Sequence, residues 1–118
     1  MQKILIVIND APYGTEKAYN ALRLAMTLVS EHENVKTRVF LMADAVGCAI
    51  PNQQTPKGYY NIETMVKYII AEGAEVKACG GCLYARGFSE LKLIDGIEPS
   101  NMPEFTEWTM EADKVVTF

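Results

Sequence analysis

The chain has 118 residues, 49% of them hydrophobic, and a formal net charge of −4 at pH 7. This length is typical of one domain spanning residues 1–118, with enough apolar residues for a core that needs no cross-links. No basic cluster is present, so direct nucleic-acid binding and attraction to an anionic membrane are not expected. No apolar stretch is long enough to span a bilayer, and we expect a cytoplasmic protein.

The first half of the chain alternates between apolar runs and a helical pattern. Residues 3–8, KILIVI, form an unbroken apolar run that is typical of a strand covered on both faces. Residues 15–30 have apolar side chains at helical spacing, and residues 37–44 repeat the strand pattern. Residues 45–60 contain two prolines and two glycines without periodicity, which predicts an irregular segment acting as a lid, an oligomer contact or a disordered loop.

The second half continues the alternation. It is predicted to contain a helix capped by Asn61 and ending at Gly73, a strand over 74–79, a short helix from about Gly81 to Arg86, a short strand around Ile97, a helix over 101–112 and a strand over 113–118. The spacing of Asn101 and Glu104 predicts a capping box at the start of the last helix.

This order of elements predicts an α/β fold, with a parallel sheet between helix layers joined by right-handed crossovers. In such folds, chemistry gathers at the carboxyl ends of the strands. Three predicted strands end there in polar or reactive residues, which are Asn9 and Asp10, Asp44, and Cys79.

The segment EVKACGGCLYARGFSE, residues 75–90, contains two of the three cysteines. Cys79 is predicted to end a strand, and Gly80 and Gly81 lead into a helix whose N–H groups would stabilise a thiolate or a persulfide anion. Cys82, three residues later, completes a C-x-x-C motif, which also permits dithiol redox chemistry. The alternative is that both cysteines are small buried packing residues.

Other side chains have narrower roles in this interpretation. Asp44 is a candidate base or orienting group, or simply a helix cap. Arg86 is a cation that suits the end of the short helix. His32, the only histidine, is expected at the opposite edge of the sheet, so no zinc site or Cys-His pair is expected even if Cys48 lies near Cys79.

A bound cofactor is also not expected. The first strand is followed by NDAPYGT, which has one glycine and one hydroxyl side chain, whereas a flavin phosphate cradle needs more of both. Three cysteines are an odd number, and a structural disulfide framework is not expected in a reducing compartment.

Three segments together resemble the DsrE/DsrF-like family over nearly the whole chain: MADAV, EGAEVKACGGCLYARG and EADKVVTF. The most specific part is a cysteine at the end of the third strand followed by A-R-G, here Cys79 and residues 85–87. The resemblance implies a three-layer α/β/α sandwich with five parallel strands that assembles as a homo-oligomer, a trimer or hexamer. It also implies that Cys79 carries sulfur as a persulfide, exchanged with sulfur donor and acceptor proteins.

By the same resemblance, Asp44 matches an aspartate that is frequent in the family after the second strand, and Cys82 belongs to a variant found in some members. Our hypothesis is a sulfur carrier or persulfide sulfurtransferase that uses Cys79, with Cys82 resolving or modulating the persulfide and Asp10, Asp44 and Arg86 supporting the site. Two alternatives stay open: a non-catalytic oligomeric interaction protein, and a dithiol redox protein that uses Cys79 and Cys82.

Overall fold

Five parallel strands form the centre of the molecule in a computed structural model that describes residues 1–118. The strands are β1 (Gln2–Ile8), β2 (Val35–Leu41), β3 (Glu75–Cys79), β4 (Ile97–Ser100) and β5 (Lys114–Thr117). The helices are α1 (Lys17–Glu31), α2 (Ile62–Ala71), α3 (Gly80–Ala85) and α4 (Met102–Glu111), and a 3₁₀ helix spans Ala43–Ala49. None of the helices has the length and apolar character needed to cross a bilayer.

The order of strands in the sheet explains the layers. The strands lie in the order β4-β3-β2-β1-β5, so the chain moves in one direction from β1 to β4 and then returns across the sheet to β5. Right-handed crossovers place connecting helices on opposite faces when that direction reverses. Consequently α4 lies on one face, and α1, α2 and α3 pack on the other. The predicted three-layer α/β/α sandwich with a five-stranded parallel sheet is confirmed.

The two faces of the sheet have cores of very different size. Ile4, Ile6 and Ile8 of β1 belong to a cluster of 23 buried residues beneath α1, α2, α3 and the 3₁₀ helix. Leu5 and Val7 point the other way and form a cluster of only four residues, with Phe40 and Trp108. The unbroken apolar sequence of β1 therefore reflects burial on both faces of the sheet, as expected for a central parallel strand.

The prediction of an irregular segment over 45–60 was wrong for its first part. Strand β2 ends at Leu41, and the 3₁₀ helix occupies Ala43–Ala49. Its Ala45, Val46, Cys48 and Ala49 are all buried. Ala45 and Cys48 are three positions apart, and so are Val46 and Ala49. A spacing of three is the period of a 3₁₀ helix. This spacing was the signal in the sequence that the prediction missed.

The predicted helix caps are present, with one correction. Asn61 accepts a hydrogen bond from the Thr64 amide (3.0 Å), and Asn101 accepts one from the Glu104 amide (2.9 Å). The Glu104 carboxylate does not complete the capping box; it accepts a hydrogen bond from the Ser100 hydroxyl (2.5 Å). Half of the predicted capping box is therefore formed, because the glutamate has a nearer partner on β4.

Candidate functional site

The two cysteines of the C-x-x-C motif lie where the direction of the chain connections changes. After β3 the chain passes into α3 on one face of the sheet, and after β4 it passes into α4 on the other. Cys79 ends β3 and is aligned with Ser100, which ends β4. Such a switch point, at the carboxyl ends of two adjacent parallel strands, is where open α/β sheets form crevices for ligands and chemistry.

Cys79 is a partly exposed residue whose sulfur atom contacts the backbone of α3. The residue packs against the edges of both hydrophobic clusters and is neither fully buried nor fully exposed. Its Sγ accepts a hydrogen bond from the Cys82 amide at 3.4 Å. Helix α3 has only six residues, so this directed N–H group, rather than a long helix dipole, is the polar contact that α3 offers to the sulfur.

The two glycines after Cys79 have different roles. A Cβ on Gly80 would lie 2.9 Å from the Ser100 carbonyl oxygen, so glycine is needed where α3 begins beside β4. A Cβ on Gly81 would meet nothing within 4 Å. Gly80 is therefore required by packing against the neighbouring strand, and Gly81 leaves the start of α3 open to solvent.

Cys82 is held by a backbone amide from another element. Its Sγ accepts a hydrogen bond from the Ala43 amide at 3.2 Å, and Ala43 has a φ of 53°, which is rare for a residue other than glycine. Burial raises the pKa of Cys82, a hydrogen bond with the Cys79 side chain raises it further, and the Ala43 amide acts in the opposite direction. Burial and the Cys79 contact therefore favour the protonated thiol at Cys82.

Asp44 and Arg86 form a link between the 3₁₀ helix and α3. The Arg86 Nε lies 2.9 Å from Asp44 Oδ1, and its Nη1 donates to the Cys82 carbonyl oxygen at 3.1 Å. Arg86 follows the last residue of α3, where a cation also suits the exposed helix carbonyls. Asp44 is thus bound to a guanidinium group, and its observed contact fits an orienting role rather than that of a base.

The remaining candidate residues from the sequence analysis make no hydrogen bond or ion pair with Cys79 or Cys82. Asp10 accepts a hydrogen bond from Thr15 (3.1 Å) and lies 3.9 Å from the Lys17 ammonium group. Cys48 is completely buried, and this burial raises its pKa to about 12. His32 follows the end of α1 and precedes the start of β2, at the opposite edge of the sheet. No group of three or more His, Cys, Asp or Glu side chains is close enough to hold a metal ion.

Two residues of the site were not identified from the sequence. Ala43 contributes only its backbone N–H, and nothing about an alanine in MADAV indicates a left-handed conformation. Ser100 lies beside Cys79 because of the register between β3 and β4. The hydrophobic pattern of the sequence predicts the two strands but not their register.

The chain is similar over all or nearly all of its length to proteins of a bacterium and of an archaeon. It is 47% identical over 118 residues to Protein YchN of Escherichia coli (strain K12), with both chains fully covered. The crystal structure of the E. coli protein matches this chain with a TM-score of 0.95, again over the full length of both. An uncharacterized protein of Methanopyrus kandleri is 44% identical over 115 residues, which are 98% of this chain and 93% of the relative.

A more distant structure shares the fold alone. Protein MTH1491 from Methanobacterium thermoautotrophicum has a TM-score of 0.81 at 14% identity, with 100% of both chains covered. The model of the DsrE/DsrF-like family matches residues 2–118, which confirms the resemblance predicted from the three sequence segments. This family is associated with sulfur relay. With a family match over essentially every residue and relatives at 47% and 44% identity, the chain belongs to the DsrE/DsrF-like family.

Proposed function

We propose that this protein carries sulfur as a persulfide on Cys79 and passes it from a donor protein to an acceptor protein. The observation that carries the proposal is the position of Cys79, a partly exposed residue at the switch point of the sheet whose Sγ accepts the Cys82 N–H. Membership in a family associated with sulfur relay supports the same chemistry.

The proposed chemistry needs one reachable thiolate and little else. The Cys79 thiolate attacks the terminal sulfur of a persulfide on the donor; a new S–S bond forms, the donor's S–S bond breaks, and the donor leaves as a thiolate. Delivery is the same exchange in reverse, with an acceptor thiolate attacking the terminal sulfur on Cys79. Neither exchange needs an external oxidant or reductant, because the transferred sulfur keeps its oxidation state.

The surroundings of the two sulfurs suit a protein partner. The molecule has two shallow surface pockets, and the residues that line them do not include Cys79 or Cys82. Exposed apolar side chains lie close by in sequence, among them Tyr84 on α3 and Met102 at the start of α4. We propose that donor and acceptor proteins dock here, and that the protein itself is a homo-oligomer, a trimer or hexamer, which size-exclusion chromatography with light scattering tests.

Loading with labelled sulfur tests the proposed function. The protein is incubated with a cysteine desulfurase and ³⁵S-cysteine, separated from the enzyme, and analysed by mass spectrometry under non-reducing conditions. We expect one added sulfur atom on the peptide that contains Cys79. The Cys79→Ser variant should not load, whereas Cys48→Ala is the matched control and should load like the wild type. Undiminished loading of Cys79→Ser would contradict the proposal.

A dithiol redox protein is the second candidate, and it is favoured by the contact between Cys79 and Cys82. The Cys82 amide donates a hydrogen bond to the Cys79 sulfur at 3.4 Å, which places the two cysteines side by side at the start of α3. This function requires a Cys79–Cys82 disulfide that forms under mild oxidation, with a loss of two hydrogens, and that reverses with a thiol reductant. If Cys79→Ala has no phenotype and Cys79 reacts only slowly with iodoacetamide at neutral pH, the interaction-protein alternative is favoured over both chemical functions.

A further inference from the structure

We propose that a hydrogen bond from the Ala43 amide holds the Cys82 sulfur back from a persulfide on Cys79 and so protects the carried sulfur. Asp44 and Arg86 are the positioning residues that keep this hydrogen bond in place. The inference rests on the proposed carrier function, because a carrier with a second thiol three residues from its persulfide has to keep that thiol from discharging it.

The reaction that has to be prevented is discharge of the persulfide by the neighbouring thiol. In this reaction Cys82 loses its proton and its sulfur attacks Cys79 Sγ, a Cys79–Cys82 disulfide forms, and the bond from Cys79 Sγ to the carried sulfur breaks. The carried sulfur takes the electron pair and the proton and leaves as the hydrosulfide ion. The Cys82 sulfur is oxidised and the carried sulfur is reduced, so discharge needs no external oxidant or reductant.

The sulfur atoms of the two cysteines are bound by different backbone amides. Cys79 Sγ accepts the Cys82 N–H at 3.4 Å, whereas Cys82 Sγ accepts the Ala43 N–H at 3.2 Å. Cys79 packs against both hydrophobic clusters, and Cys82 packs against the larger one, to which the 3₁₀ helix belongs. A disulfide places its sulfurs about 2 Å apart, so discharge requires Cys82 Sγ to move towards Cys79 and give up the Ala43 amide.

The Ala43 amide is held in place by its neighbours. Ala43 has a φ of 53°, and a left-handed alanine persists only where the surrounding structure enforces it. The next residue, Asp44, accepts a hydrogen bond from Arg86 Nε at 2.9 Å, and Arg86 Nη1 donates to the Cys82 carbonyl oxygen at 3.1 Å. One guanidinium group therefore joins the two sides of the Ala43–Cys82 hydrogen bond, the residue after the donor and the residue that accepts.

The burial of Cys82 acts in the same direction. Attack on a persulfide requires a thiolate, and burial raises the pKa of the Cys82 thiol. The Ala43 amide has the opposite effect on this pKa. The Ala43 amide therefore protects the persulfide by fixing the position of the Cys82 sulfur, and not by keeping it protonated.

The lifetime of the persulfide tests the proposal. The wild type, Asp44→Asn and Arg86→Lys are loaded with ³⁵S on Cys79, freed of donor and kept without an acceptor, and the release of hydrosulfide and the formation of the disulfide are timed. We expect Asp44→Asn to discharge about fivefold faster than the wild type, a change that the loss of an exposed ion pair can produce. Arg86→Lys should discharge faster still, because an ammonium group does not reproduce the fixed fork of a guanidinium group.

Two controls separate positioning from a general loss of structure. Asp95→Asn makes the same change of charge in an exposed pair with Lys92, and it should keep its sulfur as long as the wild type does. Arg86→Lys combined with Cys82→Ala should also keep its sulfur, because the attacking thiol is missing. A merely structural role of Arg86 would expose the persulfide to loss with or without Cys82. Circular dichroism and thermal unfolding check that each variant is folded.

A second measurement does not depend on sulfur loading. Reduced protein is mixed with glutathione disulfide, which leaves one glutathione on Cys79 and releases the other as a thiol. Cys82 then attacks Cys79 Sγ, the protein disulfide closes, and the second glutathione leaves as a thiol. Because this closure uses the same attack as discharge, its rate should rise in Asp44→Asn and Arg86→Lys by similar factors. Mass spectrometry follows it as the decay of the mixed disulfide.

Each outcome decides for or against the proposal. Discharge and closure at the wild-type rates in both Asp44→Asn and Arg86→Lys overturn the protective role of the Ala43 amide and leave the carrier function intact. Faster discharge of Arg86→Lys that persists without Cys82 also overturns it. If the wild type does not load sulfur on Cys79, the proposed function fails, and the closure rates alone then decide whether the Ala43 amide restrains Cys82.

Discussion

Gly80 is the residue where the smallest substitution should disturb the site most. Its Cβ position lies 2.9 Å from the Ser100 carbonyl oxygen, and a backbone atom of a paired strand cannot easily move away. We expect Gly80→Ala to reduce the free energy of unfolding by about 1–3 kcal/mol, in the range of other overpacked positions. Urea denaturation followed by circular dichroism measures the change.

Gly81→Ala is the matched control for this prediction. The same methyl group at this position meets nothing within 4 Å, and the backbone there has a conformation that alanine can adopt. The variant should therefore be neutral or more stable by about 0.4–1 kcal/mol, since alanine has less conformational entropy to lose on folding. Equal losses in both variants would contradict the close approach of α3 to β4.

Cys48 should make the protein less stable in alkaline solution. Burial raises its pKa from 9.0 to about 12, so the folded state keeps the thiol proton where the unfolded chain has lost it. The unfolded state then binds fewer protons, and the free energy of unfolding falls as pH rises above about 9. The contribution of Cys48 to this slope is about 1.4 kcal/mol per pH unit, and it is absent below pH 9.

The Cys48→Ala variant isolates this effect. All other groups titrate in both proteins, so the difference between the two stability curves belongs to the thiol at position 48. The curves should run parallel near neutral pH, and the wild type should fall more steeply between pH 9 and 11. Identical slopes would show that the Cys48 thiol is not sealed from solvent in the folded protein.

At the scale of elements, the ion pair between the 3₁₀ helix and α3 should hold the 3₁₀ helix in position but add little to the free energy of unfolding. Asp44 and Arg86 lie 2.9 Å apart, but their side chains are 68% and 31% exposed, and exposed ion pairs contribute little. We expect Asp44→Asn to change the free energy of unfolding by less than about 1 kcal/mol. We also expect faster hydrogen exchange of the Ala43 amide, whose bond to the Cys82 sulfur depends on the position of the 3₁₀ helix.

Asp95→Asn serves as the control for this prediction. It makes the same change of charge in a fully exposed pair with Lys92, outside the site. Exchange of the Ala43 amide should be unaffected by it. If both substitutions speed that exchange equally, the effect is one of net charge, and the Asp44–Arg86 contact does not hold the 3₁₀ helix in place.

At the scale of the whole molecule, the stability of one sheet face depends on a single helix. Trp108 of α4 is 5% exposed, packs on Phe40, and lies beneath the charged groups of Arg38 and Lys77, at 5.1 and 5.0 Å from the ring centre. Cation–π contacts of this kind add to the burial of the ring. With only four residues in this cluster, no neighbouring core can refill the space that a lost side chain leaves.

We therefore expect Trp108→Ala to lower the free energy of unfolding by about 3–5 kcal/mol, and Trp108→Phe to lower it by much less. Circular dichroism is the measurement, since the chain has one tryptophan and the variants lose its fluorescence. A small loss in Trp108→Ala would mean that α4 is held by contacts outside this chain, as assembly into a homo-oligomer would provide.

The sequence by itself determined the elements and their order, because hydrophobic periodicity and helix caps are local properties. The apolar run of β1, the Asn61 cap of α2 and the placement of Cys79 at the end of β3 all follow from neighbouring residues. The short 3₁₀ period after β2 was missed, because two apolar pairs in a segment with glycine resemble an irregular loop.

Only the tertiary structure decided what surrounds the two thiols. The Ala43 amide on Cys82, the Asp44–Arg86 contact and the position of Ser100 beside Cys79 join residues that are distant in sequence. These contacts depend on the register between strands and on the left-handed backbone of Ala43. Neither can be predicted from the neighbouring residues in the sequence. A cysteine motif can therefore be located from the sequence, but the partners that distinguish its two sulfurs follow only from the packing of α3 against the 3₁₀ helix and β4.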